Sequence, residues 1–304
     1  MHTLKGGLKM RTHLPVFVLL GASILWGLSW LPLKSINGMG IDGVALTFMA
    51  YGILAFTMTP LFIRQQKQWK EHKKAVLLIM ALGGSANLAF TYALINGEVI
   101  RVMVLFYLLP VWGVLGGKFF LKEEIDIWRW IGVFLAIVGA FFILGGFKSF
   151  DAPPSWIDLI ALLSGLFFAL NNIAFRAAQA VPVASKITVM FYGCFVLAGA
   201  VLAIGVEHLP TEIRGNIWFA LTLYALFWLL IANIGSQWSV THMEAGRSSI
   251  IIIMELITAV ISATLIAGES MELIEYFGGA LILIAAFIEA SRTKDDEVPQ
   301  TTIL

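Results

Sequence analysis

Long apolar runs separated by short polar breaks fill most of this chain and leave it few ways to fold. One of them, Glu244 to Gly268, reads EAGRSSIIIIMELITAVISATLIAG and is long enough to cross a bilayer. A single carboxylate, Glu255, stands near its midpoint. A charge at that depth costs about 2.5–3.5 kcal/mol even on lenient insertion scales, so this side chain must face protein or water rather than lipid. Ser248, Glu255 and Ser262 are spaced by seven, and Thr258 lies three beyond Glu255. The four therefore share one stripe of a helix whose other faces are Ile, Leu, Val and Ala.

Composition agrees. Of 304 residues, 59% are hydrophobic and 13% charged, with a mean hydropathy of +0.89. Soluble domains carry about 25% charged residues, so the chain is read as an integral membrane protein. Runs of about 20 apolar residues predict ten spans at 14–33, 41–63, 74–95, 98–121, 127–146, 155–176, 185–206, 216–240, 245–267 and 272–291. The basic opening MHTLKGGLKMRTH precedes the first run without a small-x-small cleavage site, so that run is a span and not a signal peptide. The expected organisation is a tail (1–13), five spans (14–146), a linker (147–154), five more spans (155–291) and a second tail (292–304).

The basic residues orient it. If the N-terminus is cytoplasmic, only Lys34, Arg101, Lys148 and Arg214 of the 20 Lys and Arg fall on the outer side. That bias predicts both termini in the cytoplasm of a multi-pass protein, taken as a bacterial inner (plasma) membrane protein.

The chain also repeats itself. A displacement of 146 positions lays Asn87 on Asn233, Glu98 on Glu244, Arg101 on Arg247, Glu123 on Glu269 and Gly132 on Gly278. With a four-residue insertion, Lys34 falls near Arg176. Polar identities at one offset inside apolar helices rarely arise by chance. Each copy has five spans, an odd number, so the second enters the membrane the other way up. The expected fold is all-α and polytopic, ten transmembrane helices in two inverted five-helix repeats, with a substrate site between the halves.

At Leu105–Ile143, LFYLLPVWGVLGGKFFLKEEIDIWRWIGVFLAIVGAFFI, the sequence resembles the fourth and fifth helices of the drug/metabolite transporter superfamily, EamA-type branch. Pro110, Glu123, Gly132 and Gly139 carry the likeness, echoed by Glu269, Gly278 and Ala285. The resemblance implies ten helices in two repeats around a cavity between spans one, three, four, six, eight and nine, with five and ten outside. It also implies transport of amino acids, amines, sugars or other metabolites, mostly outward. The chain departs from the family in having Glu98 with Arg101 and Glu244 with Arg247 at the starts of spans four and nine. It departs again where Leu256 stands in place of Pro110, and Glu255 in place of Leu109.

Glu255 is the first candidate site residue: it can exchange a proton, hold a cation, or lock span nine to span eight as a structural carboxylate. Asn87 with Thr91, and Asn233 with Gln237, are i,i+4 pairs; the repeated Asn87 and Asn233 suit interhelical hydrogen bonding worth around 0.6 kcal/mol. Asn171, Asn172 and Gln237 suit either that or a polar substrate. Trp26 and Tyr107 are candidates for an aromatic cavity wall that would favour a cation, or for packing. Glu98/Arg101 and Glu244/Arg247 are expected to pair at i,i+3, with Thr241-x-x-Glu244 as a capping box, as charge clamps and candidate gates. Gly113-x-x-x-Gly117 marks a close helix contact, within the chain or in a dimer.

Several classes are excluded. A net charge of +1 gives no reason for a nucleic-acid partner, and the lone Cys194 has no disulfide or metal-ligand spacing around it. No zinc-protease, nucleophile-elbow or nucleotide-loop motif occurs, so neither an enzyme, a metal nor a cofactor is expected. What remains is a secondary transporter, monomer or homodimer, which the resemblance implies exports small amphiphilic metabolites such as amino acids or related amines. The alternatives are a proton-coupled antiporter of cationic drugs or amines with Glu255 as the shared site, and a membrane receptor or assembly subunit that moves nothing.

Overall fold

A computed structural model describes residues 3–121, 126–143, 146, 154–210, 212–241 and 245–292. The helices are α1 (Thr3–Gly27), α2 (Trp30–Asn37), α3 (Gly43–Arg64), α4 (Gln66–Trp69), α5 (Lys73–Asn96), α6 (Val99–Phe106), α7 (Leu109–Leu121), α8 (Ile127–Ile143), α9 (Trp156–Ala177), α10 (Val183–Ala203), α11 (Gly215–Leu223), α12 (Leu230–Thr241), α13 (Ala245–Ser262) and α14 (Leu273–Arg292). A π-helical turn, Tyr224–Leu229, joins α11 to α12, and a second, Ala263–Ala267, extends α13. No strand occurs among the described residues. In hydrocarbon every backbone N–H and C=O must find an internal partner, which a helix provides without a neighbour.

Six stretches are long and apolar enough to span a membrane: Leu14–Asn37, Gly43–Arg64, Gln66–Asn96, Trp156–Phe175, Val183–Ala203 and Gly215–Ser239. Trp130–Ile143, Ile251–Ala267 and Leu273–Ile288 are shorter apolar helices. The span expected at 98–121 is not one helix but two, α6 and α7. Large apolar side chains such as Phe17, Phe119, Leu265 and Leu273 stand exposed around the outside, a surface suited to lipid. The chain is a multi-pass helical membrane protein.

The main helix contacts join the two halves, and several of these pairs are antiparallel. Helix α3 lies against α10, with Phe48 stacked on Phe195 (ring centroids 4.5 Å apart) and Tyr51 edge-on to Phe191 (5.8 Å). The ends of this pair are tied alike: Ser185 donates to Gln65 at 2.6 Å, and the Val44 amide donates to Glu207 at 2.7 Å. Helix α8 crosses α14 where Gly139 and Gly278 meet. A Cβ on either would lie 2.6 Å from the other's carbonyl oxygen, and Gly132 faces the carbonyl of Ala285. These residue numbers rise on one helix as they fall on the other, so the pair is antiparallel at matching positions of the two copies. Other helices also pack across the halves: α9 lies on α5, α6 and α7, and α1 on α12 and α13, while α13 with α14 and α7 with α8 pack within one half.

Candidate functional site

Two of the spans break, and both breaks have a local cause. Pro110 has no N–H, so the Phe106 carbonyl loses its helical donor. The chain tightens there, with Leu108 N–H donating to Leu105 O (3.3 Å) and Val111 N–H to Leu108 O (3.0 Å). The freed Phe106 carbonyl approaches α9 at Gly165, where a Cβ would lie 2.6 Å from its oxygen. In the first span, Pro32 likewise denies Leu28 O its i+4 donor, and Leu31 N–H takes that place at 3.0 Å. Ser29 N–H turns to Trp26 O (3.0 Å), which leaves Leu25 O without its helical partner. The indole of Trp228, from the π-helical turn, donates to that oxygen at 2.8 Å.

Both breaks rest on α13 around Glu255. Gly27 abuts the Glu255 carbonyl, and a Cβ there would come within 2.7 Å of the Thr258 Cβ and 3.1 Å of the Ala259 nitrogen. The Tyr107 hydroxyl, at the other break, donates to Ile252 O at 3.0 Å and lies beside the Glu255 side chain. One turn further along α13, Ser262 accepts from the Trp30 indole at 3.0 Å. Tyr107 is buried, while Glu255 is largely but not wholly buried. A largely buried carboxylate between two interrupted helices can exchange a proton or hold a cation.

The other expected residues divide. Asn87 and Asn233, equivalent in the repeat, both turn back on their own helices, donating to Gly83 O (2.7 Å) and Leu229 O (2.8 Å). Asn87 also accepts from Tyr51 at 2.8 Å, an arrangement that ties α3 to α5. Asn171 is buried between α9, α5 and α10, its amide oxygen without a hydrogen-bond partner among the described residues. Asn172 is its neighbour in sequence but not in setting. It shares a helical face with Gly165 and Phe168, and Phe168 packs on Phe106 with centroids 5.5 Å apart. That face is turned to α6 at Phe168, and one turn further on Asn172 is exposed. Trp26 and Gln237 are both half-buried, Trp26 against the core.

The expected pairing of Glu98 with Arg101 is replaced. Arg101 grips Asp158 with two bonds, Nε to Oδ1 at 2.7 Å and Nη2 to Oδ2 at 3.0 Å, and lies 3.8 Å from Glu275. Asp158 is fixed by a capping box with Ser155 and sits nearly buried, whereas Glu98 is exposed and caps nothing with its side chain. A planar guanidinium prefers a rigid, desolvated carboxylate to a solvated one on its own helix. Glu244 and the Arg247 side chain lie outside the described residues, as do Glu123 and the expected Thr241–Glu244 capping box.

Sequence reasoning did not single out Asp158, Glu275 or Trp228 for a role. Ser155-x-x-Asp158 is a legible capping signal; nothing local marks Trp228 as the partner of a broken helix.

Interrupted helices meeting an intramembrane carboxylate, in a bundle whose halves pair antiparallel, define a membrane-transport architecture. The chain belongs to the EamA-like transporter family, whose model matches residues 13–145 and again 155–289; this is the EamA-type branch of the drug/metabolite transporter superfamily. It is similar to the "Uncharacterized transporter YoaV" of Bacillus subtilis (strain 168), with 20% identity over 284 residues, 89% of this chain and 94% of that protein. A solved crystal structure at 18% identity shares the fold, with a TM-score of 0.58 over 92% of this chain and 96% of its own.

Proposed function

We propose that this chain is a secondary transporter of a bacterial inner membrane that exports small amphiphilic metabolites, such as amino acids or related amines, by alternating access. In this reading ten spans form two inverted five-helix repeats, both termini are cytoplasmic, and the substrate binds between the halves beside Glu255. The observation that carries it is the meeting of two broken helices, at Leu28–Ser29 and Tyr107–Leu108, on the segment of α13 that holds the carboxylate. An unbroken bundle would have to shear whole helices past one another, whereas interrupted ones hinge.

A second reading is favoured by the Tyr107 hydroxyl at Glu255. The single phenolic proton goes to Ile252 O, so towards Glu255 the hydroxyl accepts from the protonated carboxyl and must swing off Ile252 O to donate to the ionised one. The carboxyl can then carry a proton in one half-cycle and a cationic substrate in the other. This is proton-coupled antiport of amines. The test is uptake and counterflow in proteoliposomes with labelled amino acids, amines and sugars, each with and without a pH gradient. Counterflow of an amino acid or amine supports export, and its absence for every solute leaves a receptor or assembly subunit. Glu255→Gln should abolish pH-driven exchange; full pH-driven exchange in that variant removes the proton-carrier reading.

A further inference from the structure

At the end of the bundle away from the start of α1, the salt bridges among the described residues join the first half of the chain to the second. Glu269, in the turn before α14, accepts from the Val99 and Ile100 amides at 2.8 and 2.9 Å. These are the first two N–H groups of α6, which no helical carbonyl can serve, and Glu98 at the N-cap leaves them unserved. Lys34, at the end of α2, donates to Gly97 O at 2.9 Å and lies 3.6 Å from the same Glu269. One residue beyond Ile100, Arg101 holds Asp158 and Glu275. The cleft between these groups, lined by Ile100, Ile143 and Met271 among others, has room for about 10 Å³, roughly one water.

We propose that Glu269 on the α6 amides, braced by Lys34 and by the Arg101–Asp158 pair, is a latch that holds the outer mouth shut and must release as a unit when that mouth opens. The proposal rests on the alternating-access reading above. The geometry makes the contacts mutually dependent. Glu269 cannot leave without stripping both amides and Lys34 of a partner, and α6 cannot tilt away from α9 without breaking the two-bond grip on Asp158. With this end closed, Asn172 on the same face of α9 is exposed towards the other end. Opening at both ends together would leave a leak, so closure here is coupled to access there.

The test measures access directly. In a Cys194→Ala background, an Ile100→Cys thiol is titrated with a membrane-impermeant maleimide applied from the outer side. In the otherwise unaltered chain labelling should be slow. Glu269→Gln should speed it by about tenfold, and Lys34→Met, which keeps the apolar stem, by a smaller factor. Exchanging the pair, Lys34→Glu with Glu269→Lys, should leave labelling fast, because an ammonium cannot accept from the α6 amides. Restoration of slow labelling by the exchange would reduce the latch to a simple ion pair and overturn the role given to Glu269. Unchanged labelling in both single variants overturns the latch, and so does failure of both to fold, since a latch is dispensable for assembly. Flux in the same vesicles keeps the two readings apart. Normal flux with unchanged labelling removes the latch alone, and faster labelling without flux of any solute removes transport alone.

Discussion

Gly27 and Gly21 lie less than two turns apart on α1, and the structure assigns opposite fates to the same substitution at each. At Gly27 a methyl group would sit 2.7 Å from the Thr258 Cβ, where ordinary contact begins at 3.4 Å, and it would strike the Glu255 carbonyl as well. The obstacles are backbone and a Cβ, which cannot rotate aside, so α1 must retreat from α13 by at least about 0.7 Å. Overpacking of this kind costs about 1–3 kcal/mol. At Gly21 nothing lies within 4 Å, and replacing a helical glycine by alanine contributes about 0.5–1 kcal/mol. Gly27→Ala should therefore lower the melting temperature of purified protein by several degrees, while Gly21→Ala leaves it equal or slightly higher. A chain of this size shifts by roughly 2 °C per kcal/mol. Gly27→Ala should also slow flux, because the displaced break carries Trp30 away from Ser262. If the two variants melt together and transport alike, the close contact of α1 with α13 does not exist as described, and the hinge goes with it.

Three further outcomes follow from particular contacts. Tyr107→Phe removes the bond to Ile252 O, whose second lone pair keeps its helical donor, so stability should fall by only about 0.5–1.5 kcal/mol; the pH dependence of flux should shift, and an unaltered pH profile would detach Tyr107 from Glu255. Gly139→Ala and Gly278→Ala should each cost about 1–3 kcal/mol, and the double variant less than their sum, because the first displacement opens the gap for the second; additive melting shifts would contradict that crossing. Glu207, in the loop after α10, has its carboxyl pushed above the usual range, chiefly by burial and further by Asp42, against the Val44 and Ala45 amides that lower it. The folded state therefore binds this proton more tightly than the unfolded one, so stability falls as pH rises from the ordinary glutamate pKa to the raised one. Glu207→Gln should flatten that part of the melting-temperature profile; a profile that stays unchanged, or that rises with pH there in the parent, would show the sign to be wrong.

The sequence by itself determined the membrane class, the position of the apolar runs and the doubling of the chain. These depend on composition and on spacing along one helix, both written locally. Glu255 stood out because a carboxylate among isoleucines carries a cost that any environment must offset, whereas 98–121 read as one span and its break at Pro110 emerged only in the structure. Other matters were decided only in three dimensions. Arg101 had a carboxylate three residues before it in Glu98, yet it pairs with Asp158, 57 positions away, because that acid is rigid and desolvated. Asn171 and Asn172 look alike in the chain, and packing buries one while leaving the other open. Glu269 serves the amides of a helix about 170 residues earlier. Which partner a polar group takes inside a bundle depends on which helix ends meet, and that is set by how the two halves of the chain close on each other.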